Sequence, residues 1–141
     1  MEFLGVVPNP LYRVHNPIGI KYLTRLRVGL SHLREHKYNH NFLDTNDPYC
    51  SCDRKSVESN DHYLLRCPNH IHHRNVLFEN LNRIDDNLHF SSDSVKVQTL
   101  LYGENIFSDH VNKRILESNI KFVIDSNCFN ESLIITIIWY I

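Results

Sequence analysis

Residues 50–67 read CSCDRKSVESNDHYLLRC, a run that joins metal-ligand chemistry to the start of a helical pattern. Cys50, Cys52, His62 and Cys67 follow one another with the spacing Cys-x-Cys-x9-His-x4-Cys. Zn²⁺ prefers thiolate sulfur and imidazole nitrogen, and four such donors fill a tetrahedral shell without an open position. The run therefore predicts a structural Cys3His zinc site, built as a loop-plus-helix zinc knuckle.

Two alternatives to this ligand set remain at the level of sequence. The one-residue gap between the first two cysteines is shorter than the usual two to four residues, so His70, His72 or His73 could replace one ligand. Otherwise the three cysteines are ordinary buried thiols and His62 is a core or surface histidine. Cys128 lies far along the chain, and we expect a buried thiol without a role.

The charge of a zinc-loaded site is also predictable. Three thiolates and one neutral imidazole around Zn²⁺ leave a net charge of about -1. We expect the neighbouring Arg54, Lys55 and Arg66 to offset it.

The remaining pattern is that of a mainly α protein, a small irregular helical domain. Residues 1–19 contain three prolines and form an irregular lead-in, residues 20–132 form the helical domain, and residues 133–141 are an apolar tail. The spacing of Leu23, Leu26, Leu30 and Leu33 predicts a helix from Ile20 to about His36. Its N-cap and first turn come from Asn16 and Pro17. Four later helices are predicted. The first is capped by Ser59 or Asn60 and runs through Arg66, and the second runs from Ile71 to Ile84. The third is capped by Ser92 or Asp93 and is ended by Gly103, and the fourth begins at Ser108.

A basic face lies opposite the leucines of the first predicted helix. At about 100° per residue it holds Lys21, Arg25, His32 and His36. From Arg13 to His40 there are six Lys or Arg residues and one acid. A solvated helix face and a phosphate-binding face explain this equally well. The candidate nucleic-acid contacts are Lys21, Arg25, Arg27, Arg34, Lys37, Arg54 and Lys55.

Composition excludes several function classes. The 141 residues suit one domain, and a net charge of -1 excludes a globally basic binder. No glycine-rich phosphate loop, nucleophilic serine elbow or paired-acid motif is present, so we expect neither catalysis nor a small-molecule substrate. The start lacks a secretory signal, and the apolar stretch of nine residues at the end is too short to span a bilayer. We therefore expect an intracellular protein, in the nucleus or cytoplasm, without a membrane partner.

Four motifs together resemble a known family. They are NPIGIKYLTRLRVGLSHL at 16–33, CSC at 50–52, HYLLRCP at 62–68 and LLYG at 100–103. Over residues 7–133 the chain is similar to the C-terminal tail of the reverse-transcriptase polyproteins of non-LTR (LINE-type, jockey-like) retrotransposons.

The resemblance implies a reverse-transcriptase zinc-binding region that helps to hold template RNA or target DNA. Cys50, Cys52, His62 and Cys67 would inherit the zinc role, and Arg25 and Arg27 match the family's basic helix. The endonuclease and polymerase of such elements lie upstream, so the chain is expected to be a truncated fragment without catalytic capacity. Asp53 stands where the family commonly has Gly, which is expected to strain the ligand loop and weaken metal binding. The family usually ends near Ser132 or Leu133.

Three functions follow as hypotheses. The first is a non-catalytic, zinc-stabilised module that binds RNA or DNA through phosphates and that could also contact an upstream reverse transcriptase domain. The second is a non-functional structural remnant that once packed against the polymerase and whose leucine stripe is an orphaned interface. The third is a metal-dependent nuclease, against which the closed coordination argues.

Overall fold

The fold is described from a computed structural model that covers residues 14–86, 88 and 91–129. The predictions for residues 1–13 and for the apolar tail lie outside the described residues. The helices are α1 (Pro17–Val28), α2 (Arg34–Asn39), α3 (Ile71–Ile84), α4 (Asp93–Tyr102) and α5 (Asp109–Asp125). A π-helical turn, His62–Arg66, and a 3₁₀ turn, Pro68–His70, precede α3. In the described ranges the only β pairing is an isolated antiparallel bridge between Tyr49 and Val57, so the mainly α prediction is confirmed.

Helix α5 is the centre of the core. It packs against α1, α3 and α4, and its Ile115 and Leu116 are fully buried. Asn119 is also fully buried, and its amide donates to the carbonyl oxygen of Leu100 at 2.9 Å. Because α5 contacts three helices, it fixes their relative positions.

Helices α1 and α5 approach closely at a glycine. A Cβ placed on Gly19 would lie 2.2 Å from Cγ2 of Ile120, far inside van der Waals contact. The Ile120 side chain can pack directly on the backbone of α1 because residue 19 has no side chain.

The predicted cap residues are confirmed. Helices α1, α4 and α5 begin where a side-chain oxygen accepts a backbone N–H of the first turn, as expected for an N-cap. These bonds join Asn16 to Gly19 at 2.9 Å, Ser92 to Val95 at 3.3 Å and Ser108 to Val111 at 3.2 Å. Gly103 follows α4 with φ 78°, as predicted.

The prediction of one helix from Ile20 to His36 is wrong. Helix α1 ends at Val28 because Gly29 adopts a left-handed φ of 73°, and α2 begins only at Arg34. Glycine takes this conformation without the steric cost of a Cβ, which makes it a frequent helix terminator. Leu33 is nevertheless fully buried, so the leucine spacing continued across the turn and imitated an unbroken helix.

The break changes both predicted faces. His36 is buried rather than part of a basic surface, and its Nδ1 accepts the backbone N–H of Ser31 at 3.2 Å. Leu23, Leu26 and Leu33 are fully buried in this chain's own core. Leu30, the fourth residue of the stripe, is exposed, so three of the four predicted leucines belong to the core of this chain.

Within the part of the chain that the structure covers, no helix is both long and apolar enough to cross a membrane.

Candidate metal centre

Four side chains from two segments converge at one point. The ligand atoms of Cys50, Cys52, His62 and Cys67 all lie within 4.8 Å of one another. The two sulfurs of Cys50 and Cys67 are 3.7 Å apart, and the Cys52 sulfur lies 3.4 Å from Nε2 of His62. The cluster is close enough to hold a metal ion, and it contains the four predicted ligands.

The spacing of these atoms fits a tetrahedral metal ion rather than a disulfide. A disulfide requires an S–S distance of about 2.05 Å, and all four cysteines are free thiols. With metal–sulfur bonds of about 2.3 Å and a metal–nitrogen bond of about 2.0 Å, a tetrahedron has S–S edges of about 3.8 Å and S–N edges of about 3.5 Å. Two of the six ligand pairs, at 3.7 and 3.4 Å, match these edges, and all six pairs lie within 4.8 Å.

A short hairpin-like loop carries the first ligand pair. The bridge between Tyr49 and Val57 closes its base, and the N–H of Cys50 donates to the carbonyl oxygen of Ser56 at 2.7 Å. Inside the loop, the N–H of Arg54 donates to the carbonyl oxygen of Cys50 at 2.9 Å. These bonds direct the side chains of Cys50 and Cys52 toward the same side.

Asp53 stabilises this loop instead of straining it. Its carboxylate accepts the backbone N–H groups of Lys55 and Ser56, both at 2.9 Å, and the Ser56 hydroxyl at 2.6 Å. The left-handed residue of the loop is Arg54, with φ 60°, while Asp53 is not in that region. The expected strain at Asp53 is therefore not found.

The π-helical turn explains the His-x4-Cys spacing of the second pair. The N–H of Cys67 donates to the carbonyl oxygen of His62 at 2.7 Å, a bond between residues five apart. It holds His62 and Cys67 on one side of the turn. The hydroxyl of Ser59 accepts the N–H of His62 at 3.2 Å and fills the predicted capping role. Single-turn π segments are frequent at functional sites.

Sequence reasoning missed Arg74, which supports this turn from α3. Its side chain is buried and donates to three backbone carbonyl oxygens, those of Leu64 at 3.0 Å, Cys67 at 2.8 Å and Tyr63 at 2.9 Å. Arg74 lies on the buried side of α3 one turn before Leu77, and the apolar spacing of that helix suggested no such role. One sequence feature could have suggested this role: Arg74 is the fourth residue of the helix that follows the ligand residue Cys67.

Glu58 was also missed, and it links the ligand loop to α2. Its carboxylate accepts the backbone N–H of Arg34 at 2.7 Å, at the first residue of that helix. The Cys50 thiol donates to the same carboxylate at 3.5 Å. Glu58 thus anchors the ligand loop to α2, while the bridge between Tyr49 and Val57 closes the base of the loop.

Burial sets the protonation of the free ligands. It raises the pKa of the Cys50 thiol to about 11 and raises the pKa of Cys52 and Cys67 as well. Burial lowers the pKa of His62, which favours the neutral imidazole that a metal needs. Metal binding must therefore displace protons from the thiols.

The alternative ligands lie elsewhere. His72 and His73 are exposed, and the ring of His70 packs edge-on against Tyr63 with centroids 5.2 Å apart. Cys128 is a partly buried thiol whose pKa burial raises to about 12, and it packs against the core. None of them joins the cluster of four.

The seven predicted nucleic-acid contacts separate into two groups. Three are engaged within the protein. Arg27 donates to the carbonyl oxygen of Leu101 at 2.5 Å, and Arg34 and Lys37 form ion pairs with Asp47 and Asp44 at 3.2 and 2.9 Å.

The other four predicted contacts are Arg54 and Lys55, exposed at the tip of the ligand loop, and Lys21 and Arg25 of α1, which are half-buried and also interact within the protein. Arg66, expected to offset the charge of the centre, forms an ion pair with Asp93.

Comparison with protein-family models, curated proteins and solved structures finds no match for this chain.

Proposed function

We propose that the protein is a non-catalytic, zinc-stabilised module that binds RNA or DNA. The observation that carries the proposal is the convergence of three sulfurs and one imidazole nitrogen within 4.8 Å. We further propose that it is related to the C-terminal zinc-binding region of non-LTR retrotransposon reverse transcriptases, and that it acts in the nucleus or cytoplasm. The order of its ligands and their loop-plus-turn arrangement support that relationship.

Donor chemistry favours zinc as the metal. Soft thiolates with one imidazole in tetrahedral order suit Zn²⁺, whereas Mg²⁺ and Ca²⁺ take oxygen ligands. Four protein donors complete the shell, so none of its positions is left for a reacting water. This argues for a structural centre and against nuclease chemistry. A bound Zn²⁺ would clamp the loop that carries Cys50 and Cys52 to the turn that carries His62 and Cys67.

The tip of the ligand loop is the best-placed surface for phosphates. Arg54 and Lys55 are both exposed there, between the two ligand pairs in sequence. The Asp53 carboxylate and the bridge at the base hold the loop in shape, so a metal ion and a phosphate backbone would share one rigid support. Contacts of this kind depend on charge rather than on base sequence.

Metal content tests the first half of the proposal. We expect the purified chain to contain about one zinc ion per molecule. Replacement by Co²⁺ should give the intense thiolate charge-transfer absorption and the visible bands of a tetrahedral site. Cys67→Ala should abolish both, while Cys128→Ala, which removes a thiol outside the cluster, should leave them unchanged. Equal metal content in the two variants would contradict a metal role for the cluster.

Nucleic-acid affinity tests the second half. The zinc-loaded protein should bind single-stranded RNA or DNA oligonucleotides in fluorescence anisotropy, with affinity falling as salt rises. Reversal of both loop charges, Arg54→Glu with Lys55→Glu, should weaken binding and reduce the salt dependence. The matched control reverses two adjacent cations of α5, Lys113→Glu with Arg114→Glu. Unchanged affinity in the loop variant, or equal loss in both, would contradict a loop contact.

A further inference from the structure

We infer that Arg74 is the positioning residue of the proposed metal centre, because it holds the backbone of the π-helical turn and supplies the counter-charge of the metal–thiolate cluster. The inference rests on the proposed metal site. It concerns how this chain builds the site rather than which atoms bind the ion.

The first step is the geometry of the turn. Its carbonyl groups lose their normal helical partners where the chain leaves the turn, since Pro68 has no amide hydrogen to donate four residues after Leu64. The guanidinium of Arg74 donates to the carbonyl oxygens of Tyr63, Leu64 and Cys67 at 2.9, 3.0 and 2.8 Å. The carbonyl oxygen of Cys67 also accepts the N–H of His70 at 3.2 Å. One rigid, planar group thus fixes the carbonyl of a ligand residue and two carbonyls between the ligands.

The second step is charge. Arg74 is only 8% exposed, and in the described part of the chain no carboxylate forms an ion pair with it. Burying a cation without an opposite charge nearby is costly even when its N–H groups are hydrogen-bonded. The centre with three thiolates and Zn²⁺ would carry about -1 next to it, so metal loading would provide the missing counter-charge.

The third step is the connection to the core. The Arg74 guanidinium also lies 6.0 Å from the ring centroid of Phe122, a buried residue of α5. Helix α3 packs against α5, so the side chain spans from the core to the turn. Its position is therefore set by the fold before metal binds.

The test compares metal affinity in three variants by competition with a chromophoric chelator. Arg74→Gln removes both the charge and the planar fork, and we expect a loss of about 10- to 100-fold in zinc affinity. Arg74→Lys keeps the charge but not the planar fork, so its zinc affinity should lie between those of the original protein and Arg74→Gln. The control is Arg83→Gln, at an exposed position of the same helix, which should bind like the original protein.

A second measurement separates positioning from general stability. A purely structural role would lower the melting temperature of the metal-free and zinc-loaded proteins equally. The inference predicts that the rise in melting temperature caused by zinc is itself smaller in the Arg74 variants. If Arg74→Gln does not fold, Arg74→Lys alone decides, because it keeps the charge.

Two results would overturn the inference, and they differ. If the original protein binds zinc and Arg74→Lys binds it equally well with the same zinc-induced rise, only the role of Arg74 is refuted. If the original protein binds no metal at all, both this inference and the proposed function are refuted.

Discussion

The carboxylate of Asp53 holds Ser56 by two hydrogen bonds, one from its backbone N–H at 2.9 Å and one from its hydroxyl at 2.6 Å. These bonds lower the pKa of Asp53, because they favour the ionised carboxylate. The residues they connect lie within the loop that supplies Cys50 and Cys52. Asp53 thus helps to support the candidate metal centre.

Replacing Asp53 by Gly should therefore weaken metal binding, although the resemblance suggests that Gly is the commoner residue here. Glycine loses all three accepted bonds and makes the unfolded loop more flexible. Asp53→Asn is the matched control, since its side-chain oxygen can still accept the backbone N–H groups. Zinc affinities measured by competition should fall in the order Asp, Asn, Gly. A glycine variant that binds more tightly would show that Asp53 does strain the loop.

Chelation should destabilise the protein. Ligand linkage gives about 2.7 kcal/mol of stabilisation at a free zinc concentration one hundred times the dissociation constant. Denaturant unfolding with and without a chelator measures this difference. It should disappear in Cys67→Ala and persist in Cys128→Ala. A chelator that leaves the unfolding curve of the original protein unchanged would count against the metal centre.

Gly19→Ala should destabilise the crossing of α1 and α5. The new Cβ would lie 2.2 Å from Cγ2 of Ile120, so either the Ile120 side chain or one of the helices must shift, at a cost of about 1–3 kcal/mol. Thr24→Ala, at an exposed position of the same helix, is the control and should change stability little. Urea unfolding of both variants provides the comparison. Equal stability of the two would mean that the helices separate at little cost.

Stability should fall below neutral pH partly through His36. Burial, with a smaller effect of His40, lowers the pKa of His36 below its usual value of 6.5. The neutral ring accepts the N–H of Ser31, so its contribution is complete above pH 6.5 and is lost as the pH falls through the lower pKa of the folded state.

His36→Asn tests this pH dependence. Asparagine offers an acceptor in nearly the same position but does not titrate in this range. The range from about pH 7.5 to about pH 5 covers the titration of histidine. Over this range the melting temperature of the variant should decline less steeply than that of the original protein. Parallel curves for the two proteins would assign the decline to other groups.

Arg27→Gln should reduce stability by about 2 kcal/mol, because Arg27 joins α1 to α4. The variant loses a charge-assisted hydrogen bond to the carbonyl oxygen of Leu101 and the packing of the guanidinium 4.7 Å from the ring centroid of Tyr102. Arg114→Gln, at an exposed position of α5, is the control for charge and should be near neutral in thermal unfolding. If Arg27→Gln left the stability unchanged, Arg27 would again be a candidate nucleic-acid contact.

The fold and the ligand set were predictable to the extent that they depend on local chemistry. Asn16, Ser92 and Ser108 cap helices through residues three positions away, and Gly103 ends a helix by its own conformation. The four residues of the candidate metal centre were recognisable because metal ions are bound by few side-chain types. The leucine spacing predicted an unbroken helix across Gly29, because Leu33, which follows the break, packs into the same core as the leucines of α1.

The amino-acid sequence by itself determined the helical class, the caps and the identities of the four donor residues, because each depends on neighbours within a few positions. Only the tertiary structure decided that Arg27 belongs to a helix contact, that Glu58 anchors the ligand loop and that Arg74 holds the ligand turn. Each of these bonds joins residues from separate elements of the fold, and side-chain spacing along one element carries no information about the carbonyl groups that packing brings to another.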